Sequence, residues 1–283
     1  TIVCLSEDSY YLISAGAWTE YDSDYLHKSL ADSKFDSVNI YDCTSQWGVF
    51  SIAGPNSRSF LKKIVVSEDP DKTLSNKEFP WLSYRDIEIG MCPVRALRVA
   101  YTGELGWELH HPIEMQNYLL DILLSSGEEF NLKLVGARAQ NWLRQEKSYK
   151  AFGSDLGRDA GPFESNLSRF VDINKNFLGK DALLKRKTEV SCVTLLIDGP
   201  KDIDPWGREA LYNETEEVML GRLTSAGYSV HFKRSIGIGY VKSSFSEVGT
   251  KLRIKIDDAF WNAEIVRDSP YDPQNERIID RAQ

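Results

Sequence analysis

The sequence predicts an α+β fold that ends in a small antiparallel β-barrel. Three observations carry this expectation. Helically spaced apolar stripes alternate with strand-like runs through the first 187 residues. A glycine-rich turn joins two of those runs into an antiparallel hairpin. Beyond Lys187, short strand-like runs recur between turn signals. Two regions are therefore expected, 1–187 and 188–283.

Residues 1–13 read as a strand, with Val3, Tyr10 and Leu12 among its apolar positions. Residues 19–32 read as a helix, in which Tyr25, Leu26 and Leu30 recur at helical spacing and Asp and Ser lie near the start. Asn39 to Thr44 and Val49 to Ala53 read as strands. Pro55-Asn-Ser then opens a helix through Phe60, Leu61 and Ile64. The polar stretch from Val66 to Lys77 reads as a loop, and residues 79–89 lead into the strand from Val94 to Ala100. Pro112 to Leu124 has Met115, Tyr118, Leu119 and Ile122 on one helical face, with Gly127 as its stop. Leu134 to Ala151 reads as a further helix with Val135, Ala139, Trp142, Leu143 and Tyr149 facing a core. The strands expected after residue 187 are 193–197, 209–212, 218–224, 235–241, 251–256 and 262–266, parted by signals such as Asp198-Gly199-Pro200 and Asp257-Asp258. The charged, Pro-containing tail from Asp268 to Gln283 reads as an irregular strap.

The hairpin is the stretch that speaks to chemistry. In Tyr101-Thr-Gly-Glu-Leu-Gly-Trp-Glu108, Gly103 and Gly106 suit a tight turn. Pairing Thr102 with Trp107 then sets Tyr101 opposite Glu108 on one face of the ribbon. An ionised carboxylate accepts two hydrogen bonds in a plane, which suits a flat heterocycle with adjacent N–H donors, and the aromatic ring supplies stacking. Taken alone, the pattern favours a plain surface hairpin with an exposed Glu and a half-buried Tyr. Glu104 is expected to be a solvated turn residue.

Composition narrows the classes. A formal charge of −8 argues against a nucleic-acid partner. No run approaches the ~20 apolar residues of a membrane span, and no secretory signal is visible. The four cysteines, Cys4, Cys43, Cys92 and Cys192, show neither metal spacing nor a disulfide framework and read as buried free thiols. His110 and His111 are adjacent on a strand and point to opposite faces, so they make a poor metal pair. Asp155, Arg158 and Asp159 read as solvated or salt-bridged, and Glu164 as a structural cap.

The hairpin resembles the folate-binding signature of the aminomethyltransferase (glycine-cleavage T-protein) fold, most closely as it occurs in the C-terminal half of dimethylglycine and sarcosine dehydrogenases. Other blocks agree in the same order. Gly48-Val-Phe-Ser-Ile-Ala-Gly-Pro-Asn-Ser-Arg58 is similar to the family's strand, Gly-Pro turn and helix. Leu143-Arg-Gln-Glu-Lys-Ser-Tyr-Lys-Ala-Phe-Gly153 resembles "LRLEKAFRAWG", Gly161 to Leu167 stands where the family has "NPLEAGL", and Phe177 to Leu183 resembles "FIGKQAL". Gly221 to Ser229 is similar to its glycine- and serine-rich barrel strand. The resemblance implies a three-lobed fold around a folate channel. It also implies that Tyr101 and Glu108 contact the pterin of tetrahydrofolate, with Arg144 as a third contact whose plainer reading is a helix-surface arginine paired with an acid.

The family's catalytic Asp precedes a strand that corresponds here to Thr1-Ile-Val-Cys-Leu-Ser6, so that residue is expected just upstream of Thr1, outside the chain. The chain is therefore expected to be a fragment of a longer polypeptide. No Gly-x-Gly-x-x-Gly fingerprint occurs, so FAD is expected only on a separate flavin-binding dehydrogenase domain or subunit. The implied activity is folate-dependent capture of the carbon released by N-demethylation, in the cytoplasm or, in a eukaryote, the mitochondrial matrix. Two alternatives stay open: a non-catalytic relative of the pyruvate dehydrogenase phosphatase regulatory subunit type, and a free-standing aminomethyltransferase. Arg169-Phe170 and Ala15-Gly16 depart from the T-protein pattern and weaken the last. Trp107, next to Glu108, is the expected fluorescence reporter.

Overall fold

Strand alternation in the first part of the chain builds a sheet with one apolar and one polar face. The structure, a computed structural model, describes residues 1–33, 37–199 and 204–280. Pro200 of one turn signal and residues 281–283 of the tail lie outside them. The chain forms two compact units: 1–100 with 104–133 and 278–283, and 101–103 with 134–277.

The first unit opens with a two-stranded hairpin, β1 (Ile2–Ser6) and β2 (Ser9–Leu12), where one strand was expected. Glu7 and Asp8 make the turn, and the Ser6 hydroxyl donates to the Asp8 carboxylate at 2.7 Å. Helix α1 (Thr19–Ala31) follows and buries none of its residues. Residues 39–43, expected as a strand, form none. Next come β3 (Trp47–Ala53), α2 (Ser57–Ile64), the single turn α3 (Pro70–Thr73), β4 (Tyr84–Ile89), β5 (Cys92–Leu97), β6 (Gly106–Pro112) and α4 (Gln116–Gly127). The loop expected at 66–77 thus contains a helical turn, capped by the Asp69 carboxylate accepting from Lys72 N–H at 3.0 Å.

The sheet is antiparallel in the order β3-β6-β5-β4. Its core face carries Ile52, Trp107, Leu109, Val94, Ala96, Ile87 and Ile89, and α2 and α4 add Phe60, Leu61, Leu119 and Leu123. Trp107 is fully buried and contributes roughly 200 Å² of hidden surface. The guanidinium groups of Arg58 and Arg98 lie 5.4 and 5.8 Å from its ring centroid. Those two arginines are themselves buried. Arg58 pairs with Asp280 at 3.1 Å, and Arg98 donates to the carbonyls of Phe79 (2.6 Å) and Ile279 (2.7 Å).

The second unit contains α5 (Ala137–Glu146), α6 (Lys180–Lys185) and β7 (Val190–Ile197). These are followed by β8 (Ala210–Tyr212), β9 (Met219–Ser229), β10 (Arg234–Lys242), β11 (Lys251–Ile256) and β12 (Ala259–Val266). A last helical turn, α7, spans Glu276–Ile279. The six strands close into an antiparallel barrel in the order β10-β7-β12-β11-β8-β9, filled by Leu195, Ile197, Leu211, Leu223, Val241, Ile254 and Ile265. Closure leaves the barrel no open edges. The Trp142 ring of α5 lies against Gly227 of β9, where any Cβ would collide with it.

Helix α5 departs from its expected extent and buried face. The helix is shorter than 134–151, Val135 is exposed, and the residues it buries are Arg144, Gln145 and Glu146. A polar run reads as a solvent face by composition alone, but here it enters a buried hydrogen-bond network. The thiols also divide: Cys92 and Cys192 are buried, Cys43 is half-buried and Cys4 is exposed.

Candidate functional site

Glu108 lies on β6, but its partner is not Tyr101. The observed register pairs Glu108 with Leu97 of β5 and with Ser51 of β3. Strand β5 stops early because Val99 N–H donates back to Leu97 C=O at 2.9 Å, a tight turn that breaks the ladder while Arg98 turns inward. Eight residues, from Arg98 to Leu105, therefore join β5 to β6, in place of a tight hairpin turn.

Period-two alternation gives the polar face of the sheet its set: Trp47, Val49 and Ser51 on β3, Glu108 and His110 on β6, Arg95 on β5 and Asp86 on β4. Tyr11 of β2 covers part of this face. Its hydroxyl lies 3.1 Å from His110 Nδ1, and its ring meets that imidazole edge-on at 5.5 Å. His110 Nε2 lies 3.3 Å from Glu108 Oε2. Among the described residues, no group donates to the other carboxylate oxygen of Glu108. Arg95 is anchored by both oxygens of Asp86 (2.9 and 3.2 Å) and rests over the rings of Tyr11, Trp47 and Tyr84. Burial pushes the Tyr11 phenol above its usual pKa, with Arg95 opposing. His111 takes the opposite direction, as expected, and stacks on Phe50 at 4.9 Å. Trp107 also points away from Glu108, so Trp47 is the tryptophan on the Glu108 face.

Tyr101 belongs to the second unit. Its ring stacks near-parallel on Tyr149, at 6.1 Å and 16°. Burial raises its pKa, with Arg144 opposing, and among the described residues its hydroxyl has no hydrogen-bond partner. The neighbouring Thr102 hydroxyl is buried and likewise without a partner among the described residues. Helical spacing in the sequence places Tyr149 in the core. Its stacking on Tyr101 came from no local signal.

Arg144 is 1 % exposed, and its five N–H donors are all engaged. Nε and Nη2 donate to Asn141 Oδ1 (3.0 and 2.9 Å), Nη1 to Tyr149 C=O (2.7 Å) and to Asp155 Oδ2, and Nη2 also to Ser225 Oγ (2.6 Å). It is not a surface arginine: it pairs with an acid in the interior and holds the backbone of Tyr149. Asp155 is equally buried and also accepts from Ala151 N–H at 2.9 Å and from the Thr224 hydroxyl. It is salt-bridged, not solvated. Glu164 caps Gly161 N–H at 2.6 Å and pairs with Arg186 at 2.7 Å. Glu104 is half-buried, not a free turn residue.

Comparison with known families decides the family. The GCVT N-terminal domain matches residues 1–175, and the glycine cleavage T-protein C-terminal barrel domain matches residues 191–272. The chain belongs to the glycine cleavage T-protein family. Among relatives of this T-protein-family chain, the mitochondrial dimethylglycine dehydrogenase of Mus musculus is 34% identical over 95% of the chain. The mitochondrial sarcosine dehydrogenase of the same species is 28% identical over 96%. The chain spans only 30% of the length of each. An aminomethyltransferase of Caldanaerobacter subterraneus is 28% identical over 92% of the chain and 67% of its own length. The crystal structure of the glycine cleavage system aminomethyltransferase T from Bartonella henselae superposes with a TM-score of 0.77 at 19% identity, over 95% of this chain and 71% of that one. That likeness shows the shared fold. Among the described residues no helix is long and apolar enough to cross a membrane.

Proposed function

We propose that this chain is the folate-binding, one-carbon-transfer part of a dimethylglycine- or sarcosine-dehydrogenase-like enzyme. The observation that carries the reading is the Glu108 carboxylate. One oxygen is held by His110, and the other has no donor among the described residues, in a chain of the T-protein family. Such a group suits the adjacent N–H donors of a pterin ring. Tyr101, backed by Tyr149, offers an aromatic face, and among the described residues neither its hydroxyl nor that of Thr102 has a partner. Each set of features, taken within its own unit, fits tetrahydrofolate. Arg144 serves the site by holding Tyr149. When bound, tetrahydrofolate would supply the amine nitrogen that accepts the one-carbon unit. The contribution of this chain is binding and orientation, on which transfer rates depend steeply.

The N-methyl amine would be oxidised on a flavin domain outside this chain, and the greater length of the dehydrogenase relatives supports that arrangement. Their mitochondrial names support a matrix location if the source is eukaryotic. A free-standing aminomethyltransferase is the second reading, favoured by the coverage of the Caldanaerobacter enzyme. Oxidation of dimethylglycine or sarcosine by the full-length protein separates the two.

The test is a tetrahydrofolate titration of the full-length protein, followed by tryptophan fluorescence with Trp47 as the nearby reporter. Saturable binding should weaken about tenfold or more, ~1.4 kcal/mol, in Glu108→Ala and in Tyr101→Ala. A folded protein that does not bind tetrahydrofolate would favour the non-catalytic regulatory reading.

A further inference from the structure

We infer that His110, held by Tyr11, is a positioning residue that orients the Glu108 carboxylate for its ligand. The inference rests on the folate-binding reading and adds residues to it.

The three side chains form one chain of hydrogen bonds in a fixed direction. A carboxylate can only accept, so His110 Nε2, 3.3 Å from Glu108 Oε2, must carry the proton of that bond. In the neutral ring this leaves Nδ1 as an acceptor, and the Tyr11 hydroxyl at 3.1 Å supplies the proton it needs. Tyr11 can serve because a phenol is protonated at neutral pH, and burial pushes its pKa further up. Its ring is packed against Trp47 at 6.0 Å and lies under the Arg95 guanidinium. His110 itself is 1 % exposed, whereas the Glu108 side chain is 31 % exposed. A buried imidazole therefore holds one oxygen of a partly exposed carboxylate, and the other has no donor among the described residues. An untethered Glu would have to lose rotamer freedom on binding; here that ordering is made in advance.

The arrangement predicts coupling between His110 and Glu108 that packing alone would not produce. In the full-length protein, His110→Phe keeps a ring of similar size and removes the donor. It should raise the dissociation constant for tetrahydrofolate about tenfold. It should raise KM for folate and leave kcat nearly unchanged, the pattern of a lost contact made equally in the ground and transition states. His110→Gln, which keeps an N–H at the far end of the side chain, should recover most of the affinity. Tyr11→Phe should weaken binding in the same direction by a smaller factor, and it provides a readout if His110→Phe does not fold.

Placing His110→Phe on a Glu108→Gln background completes a double-mutant cycle. The expected result is little further loss once Glu108 has been changed. Full loss in both backgrounds would mean that His110 only supports the fold and would overturn the inference. Wild-type affinity in His110→Phe or in Tyr11→Phe, with binding abolished in Glu108→Ala, would overturn it while leaving the folate reading intact. Wild-type affinity in Glu108→Ala would remove the folate reading and the role of His110 together.

Discussion

A buried arginine costs least when each of its donors is matched, and Arg144 meets that condition through Asn141, Tyr149, Asp155 and Ser225. Its partner Asp155 is 2 % exposed, so neither charge has access to water as a substitute. Removing one member of such a pair strands the other. Arg144→Met should cost about 3–5 kcal/mol, read by urea denaturation. Arg144→Lys should recover little, because one ammonium cannot reach four separated acceptors. The sequence allows two roles for this residue, ligand contact or surface pair with an acid; the acid is present as Asp155, but the pair is buried. No residue near Arg144 in sequence signals that Ser225, on a barrel strand, will close its network.

At the scale of the element, β6 shows what alternation can and cannot specify. Its period of two places Glu108 and His110 on one face and Trp107, Leu109 and His111 on the other. That division was legible from the residue types, and so was the separation of the two histidines. The register was not legible. It depends on β5 ending at Leu97, and β5 ends there because Arg98 turns inward to satisfy the carbonyls of Phe79 and Ile279, residues far away in sequence. Gly106 then starts β6 where a Cβ would lie 2.6 Å from Ile52 O and 2.9 Å from Ala100 Cβ. Gly106→Ala must push β6 away from β3. It should destabilise the first unit by about 1–3 kcal/mol and weaken tetrahydrofolate binding through Glu108, with denaturation curves and ligand titration as the two measurements.

Across the molecule, the barrel of the second unit carries a buried pair with a pH consequence. Burial pushes the Cys192 thiol up to about 12 and the Tyr240 phenol up to about 12. Tyr240 is fixed by Ser165 at 2.8 Å and by donation to Asp155 C=O at 2.9 Å. Both groups stay protonated in the folded state after their unfolded counterparts have ionised. Their stabilising contribution is therefore complete below about pH 9 and is lost as pH rises toward 12. Thermal melts across that range should show stability falling, with a shallower slope in Tyr240→Phe. A slope unchanged by the substitution would remove Tyr240 from the account.

The six barrel strands were all visible locally, because short alternating runs between turn signals need no partner to be recognised. The same holds for the helix at 57–64 and for the face that Glu108 takes on β6. Long-range packing assigned the rest: the eight-residue connection that separates Tyr101 from β6, the stack of Tyr149 on Tyr101, the interior position of Arg144, and the grip of His110 on Glu108. Periodicity reports which face a residue takes. A buried polar side chain instead goes where its hydrogen bonds can be completed, and the groups that complete them lie dozens of residues away along the chain.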